Sequence, residues 1–230
     1  MSETMDTFES DPLVQAVTDY VKSYMSHYDA SHDWNHIQRV LGLARHIYSR
    51  SANRADLDLR IIHLAALLHD VGDRKYLSAN QDPTTIIATL LLSLGAPPTL
   101  AAYIQTICLN VSYTTERKNP PFHMASLIQS HPELAVVQDA DRIDALGAVG
   151  IGRMFTYGGA RCADRDMAGT MAHLDEKLFL LEGMAKTEVG RGIMRERTER
   201  MRLFKAWWAE EVEGKYAAVS DDVGAAAGEV

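Results

Sequence analysis

Apolar residues recur along this chain at the three- and four-residue steps of a helix. No sustained two-residue alternation interrupts them, so the pattern predicts an all-α protein. Asp11 and Pro12 read as the cap and first residue of a helix whose stripe runs through Leu13, Val17, Val21 and Tyr24. Ser31, His32 and Asp33 offer caps for a second, with Ile37, Val40, Leu41, Ala44, Ile47 and Tyr48 on its apolar face. From Leu57 to Val71 the residues are apolar almost all round, which suits a central helix covered on several sides. TTIIATLLLSLG predicts a helix stopped by Gly95, and another runs from Pro98 through Leu109. VSYTTERKNPPF reads as a loop, followed by a short helix from His123 to Gln129 and a longer one opened by Pro132 and ended at Gly147. Two further helical patterns span Met171 to Glu182 and Glu188 to Tyr216.

Two polar residues violate this pattern. His69 and Asp70 stand at the end of IIHLAALLHDVGD, where the helix should be packing its core. A buried carboxylate without a partner is costly, so it is usually paired, hydrogen-bonded or bound to a metal. Alone, His69 reads as a satisfied core histidine, Asp70 as a helix-end acceptor and His36 as a solvated helix-start histidine. Together with an aspartate of DADRID they form a different set: two imidazoles and two carboxylates, which leave coordination positions open on Mn²⁺, Fe²⁺ or a similar ion. Asp139, Asp141 and Asp144 lie two and three residues apart and cannot all point to one site.

The net charge of −8 argues against general nucleic-acid binding through a basic surface and leaves small anions open. The two cysteines, Cys108 and Cys162, fit a reducing compartment as free, partly buried thiols. MSETMDTFESDP lacks a secretory pattern, and no apolar run reaches the roughly 20 residues that span a bilayer, so the expectation is a cytoplasmic protein without a membrane partner. Composition predicts a flexible N-terminus over 1–10, a single helical unit over 11–219 and a flexible tail over 220–230. GAVGIGRMFTYGG has the glycines of a phosphate loop but follows a helical pattern, so close helix packing and a flexible turn are the better reading. The final helix interleaves basic residues with glutamate, which predicts a solvated, salt-bridged face and an apolar stripe against the core. Trp207 and Trp208 offer a surface for a homodimer contact that the sequence alone does not establish.

Three segments carry a resemblance. HDWNHIQRV, LLHDVGDRKY and QDADRIDALGAVGIGR resemble, in order, the signatures of the HD-domain metal-dependent phosphohydrolases, and KTEVGRGIMRERTERM with its aromatic helix is similar to a small stand-alone subgroup. The resemblance implies an HD-domain helical bundle with additional C-terminal helices. It implies His36, His69 and Asp70 as metal ligands, and Asp141 as the fourth because it best matches the A-D-R/K-L pattern, with Ile143 in the leucine position. The implied cofactor is a divalent ion, Mn²⁺ first, with Fe²⁺, Mg²⁺, Co²⁺, Ni²⁺ or Zn²⁺ as alternatives. The implied substrate is a small phosphorylated molecule, a nucleotide by preference, cleaved by phosphomonoester or nucleoside triphosphate pyrophosphate hydrolysis. A nucleotide phosphodiesterase and a non-catalytic nucleotide-binding module are the alternatives; the glycine-tyrosine-proline motif of the cyclic-dinucleotide branch is missing. Among cations near the motifs, Arg39 and Lys75 are preferred over Arg142 and Arg153 for stabilising developing charge. Asp73, four residues after His69, is the candidate for proton transfer, provided Gly72 does not break the helix first.

Overall fold

The computed structural model describes residues 8, 10–73, 77, 81–162 and 164–214. Among them there is no strand, in keeping with an all-α fold. The helices are α1 (Pro12–Met25), α2 (Trp34–Arg50), α3 (Leu59–Leu68), α4 (Ile86–Ser93), α5 (Pro98–Leu109), α6 (Tyr113–Lys118), α7 (Pro121–Ser130), α8 (Glu133–Asp144), α9 (Gly147–Arg161), α10 (Met167–Glu176) and α11 (Glu188–Glu213). Tighter 3₁₀ turns span Arg54–Asp56 and Leu178–Met184. The expected tails (apart from Phe8 and Ser10), Lys75 and the end of the last helix at Tyr216 lie outside the described residues; Phe8 packs against the core, its ring 5.8 Å from that of His63.

Local chemistry sets several of these boundaries. The Asp11 carboxylate accepts from the backbone N–H of Leu13 and Val14, and Asp33 accepts from that of His36, so both predicted caps satisfy first-turn donors. Thr85 gives α4 no side-chain cap; instead Gln105, reaching over from α5, accepts from the N–H of Ile87 and Ala88 at 3.0 Å each. Four expectations need correction. The stretch read as a loop holds α6, whose first turn is capped by Ser112 on Thr115. The central helix ends at Leu68, not Val71. The glycine-rich GAVGIGRMFTYGG is helix α9, preceded by a break after Asp144. The segment from Met171 to Glu182 divides into α10, which starts at Met167, and the 3₁₀ turn.

The core is organised around α3, in which every residue from Ile62 to Leu68 is buried. Helices α1, α2, α5 and α8 pack on it, and α2 also lies along α8. This explains why its sequence is apolar on all sides rather than striped. α11 forms an outer layer against α8, α9 and the Leu178–Met184 turn, with Met194 and Met201 fully buried and Trp207 exposed. No described helix is long and apolar enough to cross a membrane. Cys108 is buried, Cys162 partly so, and both are free thiols.

Candidate metal centre

Three separate segments converge where α3 stops. His36 projects from the first turn of α2, fixed by the Asp33 cap. His69 closes α3, and the chain then turns through Gly72 at φ +86°, a left-handed conformation that favours glycine. A Cβ at Gly72 would also meet Ile86 Cγ2 at 2.7 Å. Asp141 comes from α8, where it alone among twelve residues is not buried, with 27% of its side chain exposed. One face of an otherwise enclosed helix therefore opens at this carboxylate.

The four side chains meet closely. His36 Nε2 lies 3.2 Å from His69 Nε2, 3.2 Å from Asp70 Oδ2 and 3.7 Å from Asp141 Oδ1. His69 Nε2 lies 3.5 Å from Asp70 Oδ1 and 3.8 Å from Asp141 Oδ1. His36, His69 and Asp141 alone each offer one ligand atom within 4.8 Å of the others.

The far sides of the imidazoles orient the near sides. His36 Nδ1 pairs with Asp144 Oδ2 at 2.8 Å, and His69 Nδ1 with the Ala66 carbonyl at 2.8 Å. With those nitrogens donating, both Nε2 atoms present lone pairs to the cluster, the arrangement found around metal-bound histidines. Asp70 Oδ2 is buried with no hydrogen-bond partner among the described residues. Two lone pairs and an orphaned carboxylate oxygen facing one another are a poor arrangement unless a cation lies between them. The donor set thus fits a divalent ion: imidazole and carboxylate ligands with one exposed side.

The charges respond to this crowding. Burial opposes a charged His36, yet the carboxylates of Asp144 and Asp70 outweigh it and raise its pKa. Burial would raise the Asp70 carboxyl, but the neighbouring His69 and His36 hold it well below its usual range. Asp144 is likewise pulled down against its burial by hydrogen bonds from His36 and Arg39. Because a proton and a cation compete for the same lone pairs, a site that draws protons this way also draws metal.

The remaining sequence-predicted residues fall in different places. Arg39 donates to both Asp144 oxygens, at 2.7 and 3.0 Å, which places it behind His36. Arg153 joins it, with Nη1 3.1 Å from Asp144 Oδ2 and Nε donating to the Ser31 carbonyl. Arg142 points away, bonded to Glu116 at 2.5 Å and to the Met184 carbonyl. α3 ends at Leu68 and the chain turns at Gly72, so Asp73 does not share a helix face with His69 as its spacing required; it stays close to the ligand pair through its backbone N–H, which donates to the Asp70 carbonyl at 3.3 Å. Asp144, weighed above only as an alternative ligand, instead holds His36; its place one helical turn after Asp141 was the available signal. His32 also borders the site, its ring 5.9 Å from that of His36 and 5.8 Å from that of Tyr157. Nothing in its spacing distinguished it from a surface histidine.

Known proteins match this arrangement. Residues 33–146 match the HD domain family, a span that includes all four clustered side chains and Asp144. The uncharacterised protein YpgQ of Bacillus subtilis (strain 168) is 29% identical over 202 residues, covering 87% of this chain and 94% of its own. The crystal structure of Bacillus subtilis YpgQ in complex with ADP is similar at a TM-score of 0.67 and 30% identity, over 88% of this chain and 96% of that one. An HD-superfamily hydrolase from Bacillus thuringiensis follows at a TM-score of 0.63 and 26% identity, over 88% and 97%. With the motif order, the helical fold and these relatives in agreement, the chain belongs to the HD-domain family.

Proposed function

We propose that this protein is a metal-dependent phosphohydrolase acting on a small phosphorylated substrate, a nucleotide by preference, through phosphomonoester or nucleoside triphosphate pyrophosphate hydrolysis. The observation that carries this reading is the half-open donor set: two inward lone pairs and two carboxylates, with Asp141 exposed on one side. A purely structural ion would be better served by a closed shell. The YpgQ relative in complex with ADP supports a nucleotide at the same fold.

His36, His69, Asp70 and Asp141 are the residues that would hold the ion. When bound, a divalent cation supplies Lewis acidity that polarises a phosphoryl oxygen and lowers the pKa of water. The protein's part is to aim the ligands. Asp144 and the Ala66 carbonyl fix the two imidazoles, and Arg39 and Arg153 fix Asp144. Asp73, beside the ligand pair, is assigned to move the proton between attacking water and leaving group. Lys75, outside the described residues, remains in the proposal as a cation for stabilising developing charge. Mn²⁺ is the ion proposed first.

The test is metal analysis of the purified protein, followed by a nucleotide panel with phosphate and pyrophosphate measured separately. His69→Ala should lose bound metal and slow product release about 10²-fold or more, beyond the ~10–100-fold that supporting groups cost. Unchanged turnover in folded His69→Ala protein would reject the reading.

A further inference from the structure

A groove of about 530 Å³ opens between α2 and α11, on the side of Asp144 away from the clustered ligands. Arg39 lines it, gripping Asp144 yet keeping 34% of its side chain exposed. Arg197 and Arg200 enter from α11, and Leu43, Val149 and Ile193 supply apolar wall. The volume lies within the range of sites for small organic ligands.

Arg197 is the informative residue. Its stem packs on the turn between α8 and α9, so that a Cβ at Gly147 would meet Arg197 Cγ at 3.1 Å. Its guanidinium is half-buried and donates to the Ile143 carbonyl at 2.8 Å, but no carboxylate among the described residues lies within ion-pair distance. The acids in the groove are already paired: Asp144 with His36, Arg39 and Arg153, and Glu196 with Arg200 one turn along α11, which leaves Arg197 as the groove cation without an acidic partner among the described residues. Burial, only partly offset by Asp144, makes the charge of Arg197 harder to hold without a counterion. On a chain of net charge −8, this is a local concentration of positive potential. Val149 also brings the first turn of α9 to the wall, and that helix end has no side-chain cap.

We infer that this groove is a second ligand site, separate from the metal centre, for a phosphate-bearing organic molecule of nucleotide size. Arg197 takes the phosphate, in the forked geometry that a guanidinium group offers to phosphate oxygens, with Arg200 beside it paired to Glu196. Leu43, Val149 and Ile193 cover the uncharged part. Binding here uses none of the four clustered side chains, so it does not depend on the proposed hydrolysis.

Calorimetric titration of the full-length protein, stripped of metal with a chelator, tests this with AMP and ADP in one arm and inorganic phosphate in another. The nucleotides should bind metal-free wild-type and His69→Ala proteins equally, with inorganic phosphate at least about tenfold weaker for want of the apolar contacts. Arg197→Gln should weaken nucleotide binding about tenfold or more, as removal of a charge-assisted hydrogen bond does. Because Arg197 also supports the α8–α9 turn, Gly42→Glu is the second variant: Gly42 is exposed on the side of α2 that lines the groove, and a Cβ there meets nothing within 4 Å. It should fold normally and abolish the same binding. Failure of nucleotides to bind metal-free protein, or binding unchanged by Gly42→Glu, would overturn the site, and equal affinity for inorganic phosphate would overturn the organic ligand. Loss of hydrolysis in every assay would leave these titrations intact, so the two readings fail separately.

Discussion

Asp139 and Asp141 stand two residues apart on α8 and meet opposite surroundings. Asp139 is buried and receives the backbone N–H groups of Lys186 and Thr187, at 2.9 and 2.7 Å, together with the Thr187 hydroxyl at 2.8 Å. A Cβ at Gly190 would strike its Oδ2 at 2.3 Å, so the start of α11 is shaped around this carboxylate. Asp141 has no such donors among the described residues and faces two imidazole nitrogens. One carboxylate holds two helices together; the other is, on the proposed function, a ligand for a cation. The difference lies in what surrounds each oxygen, since residue type and helix are the same.

The sharpest way to break that contrast is to neutralise one carboxylate of each kind. Asp139→Ala should leave the metal ligands in place but strand buried N–H groups, costing about 3 kcal/mol in denaturant unfolding. At the ~2–4 °C per kcal/mol typical of this size, the melting temperature falls by roughly 10 °C. Asp70→Asn should do the reverse, reducing bound metal with a smaller loss of stability in the metal-free protein, because its Oδ2 accepts no hydrogen bond among the described residues that the change would strand. If the two variants lost stability and metal in the same proportion, the division of roles would be wrong.

A smaller effect is expected one step out from the cluster. Asp144→Asn keeps the shape but weakens the grip on His36, and metal affinity should drop by about 10–100-fold in a chelator competition with the fold retained. No change in affinity would reduce Asp144 to a salt-bridge partner of Arg39 and Arg153.

The smallest effect separates two buried histidines. His36 faces carboxylates and is raised, whereas burial, reinforced by nearby Arg45, lowers His63 to about 4. Arg45 donates to His63 Nδ1 at 3.1 Å, which requires that nitrogen to be unprotonated. Between pH 6.5 and about 4 the unfolded chain binds the proton that folded His63 refuses, so stability falls as pH falls through this window. Going from pH 7 to 5.5 should cost about 1 kcal/mol from this group, and His63→Gln should remove that slope from urea unfolding. Parallel pH profiles for wild type and variant would show that His63 is already free to titrate.

The sequence disclosed most where apolar spacing and a cap agree. α5 begins and ends at the expected Pro98 and Leu109, and α1 starts at Pro12 behind Asp11. Boundaries failed where tertiary contacts decide them. α6 is a six-residue helix with too little apolar pattern to see, held by Glu116 reaching Lys186 at 2.6 Å and Arg142. The all-round apolar run hid the end of α3, since nothing in its periodicity marks the turn at Gly72. For the site, ordered motifs identified the side chains that meet. They did not reveal that Arg39 lies behind His36, or that Asp139 and Asp144 serve α11 and His36, because one-dimensional spacing carries no information about donors brought in from 47 or 105 residues away.

The junction at the end of α3 also orders assembly in time. His36 and His69 are 33 residues apart, and the aspartate that steadies His36 lies 108 residues beyond it, so no short stretch of nascent chain holds a usable set of ligands. Each of those long loops has to close before an ion finds its seat, and the closure is driven by apolar burial around α3. On the proposed function the cation would therefore be a late arrival, a keystone fitted to an arch that already stands.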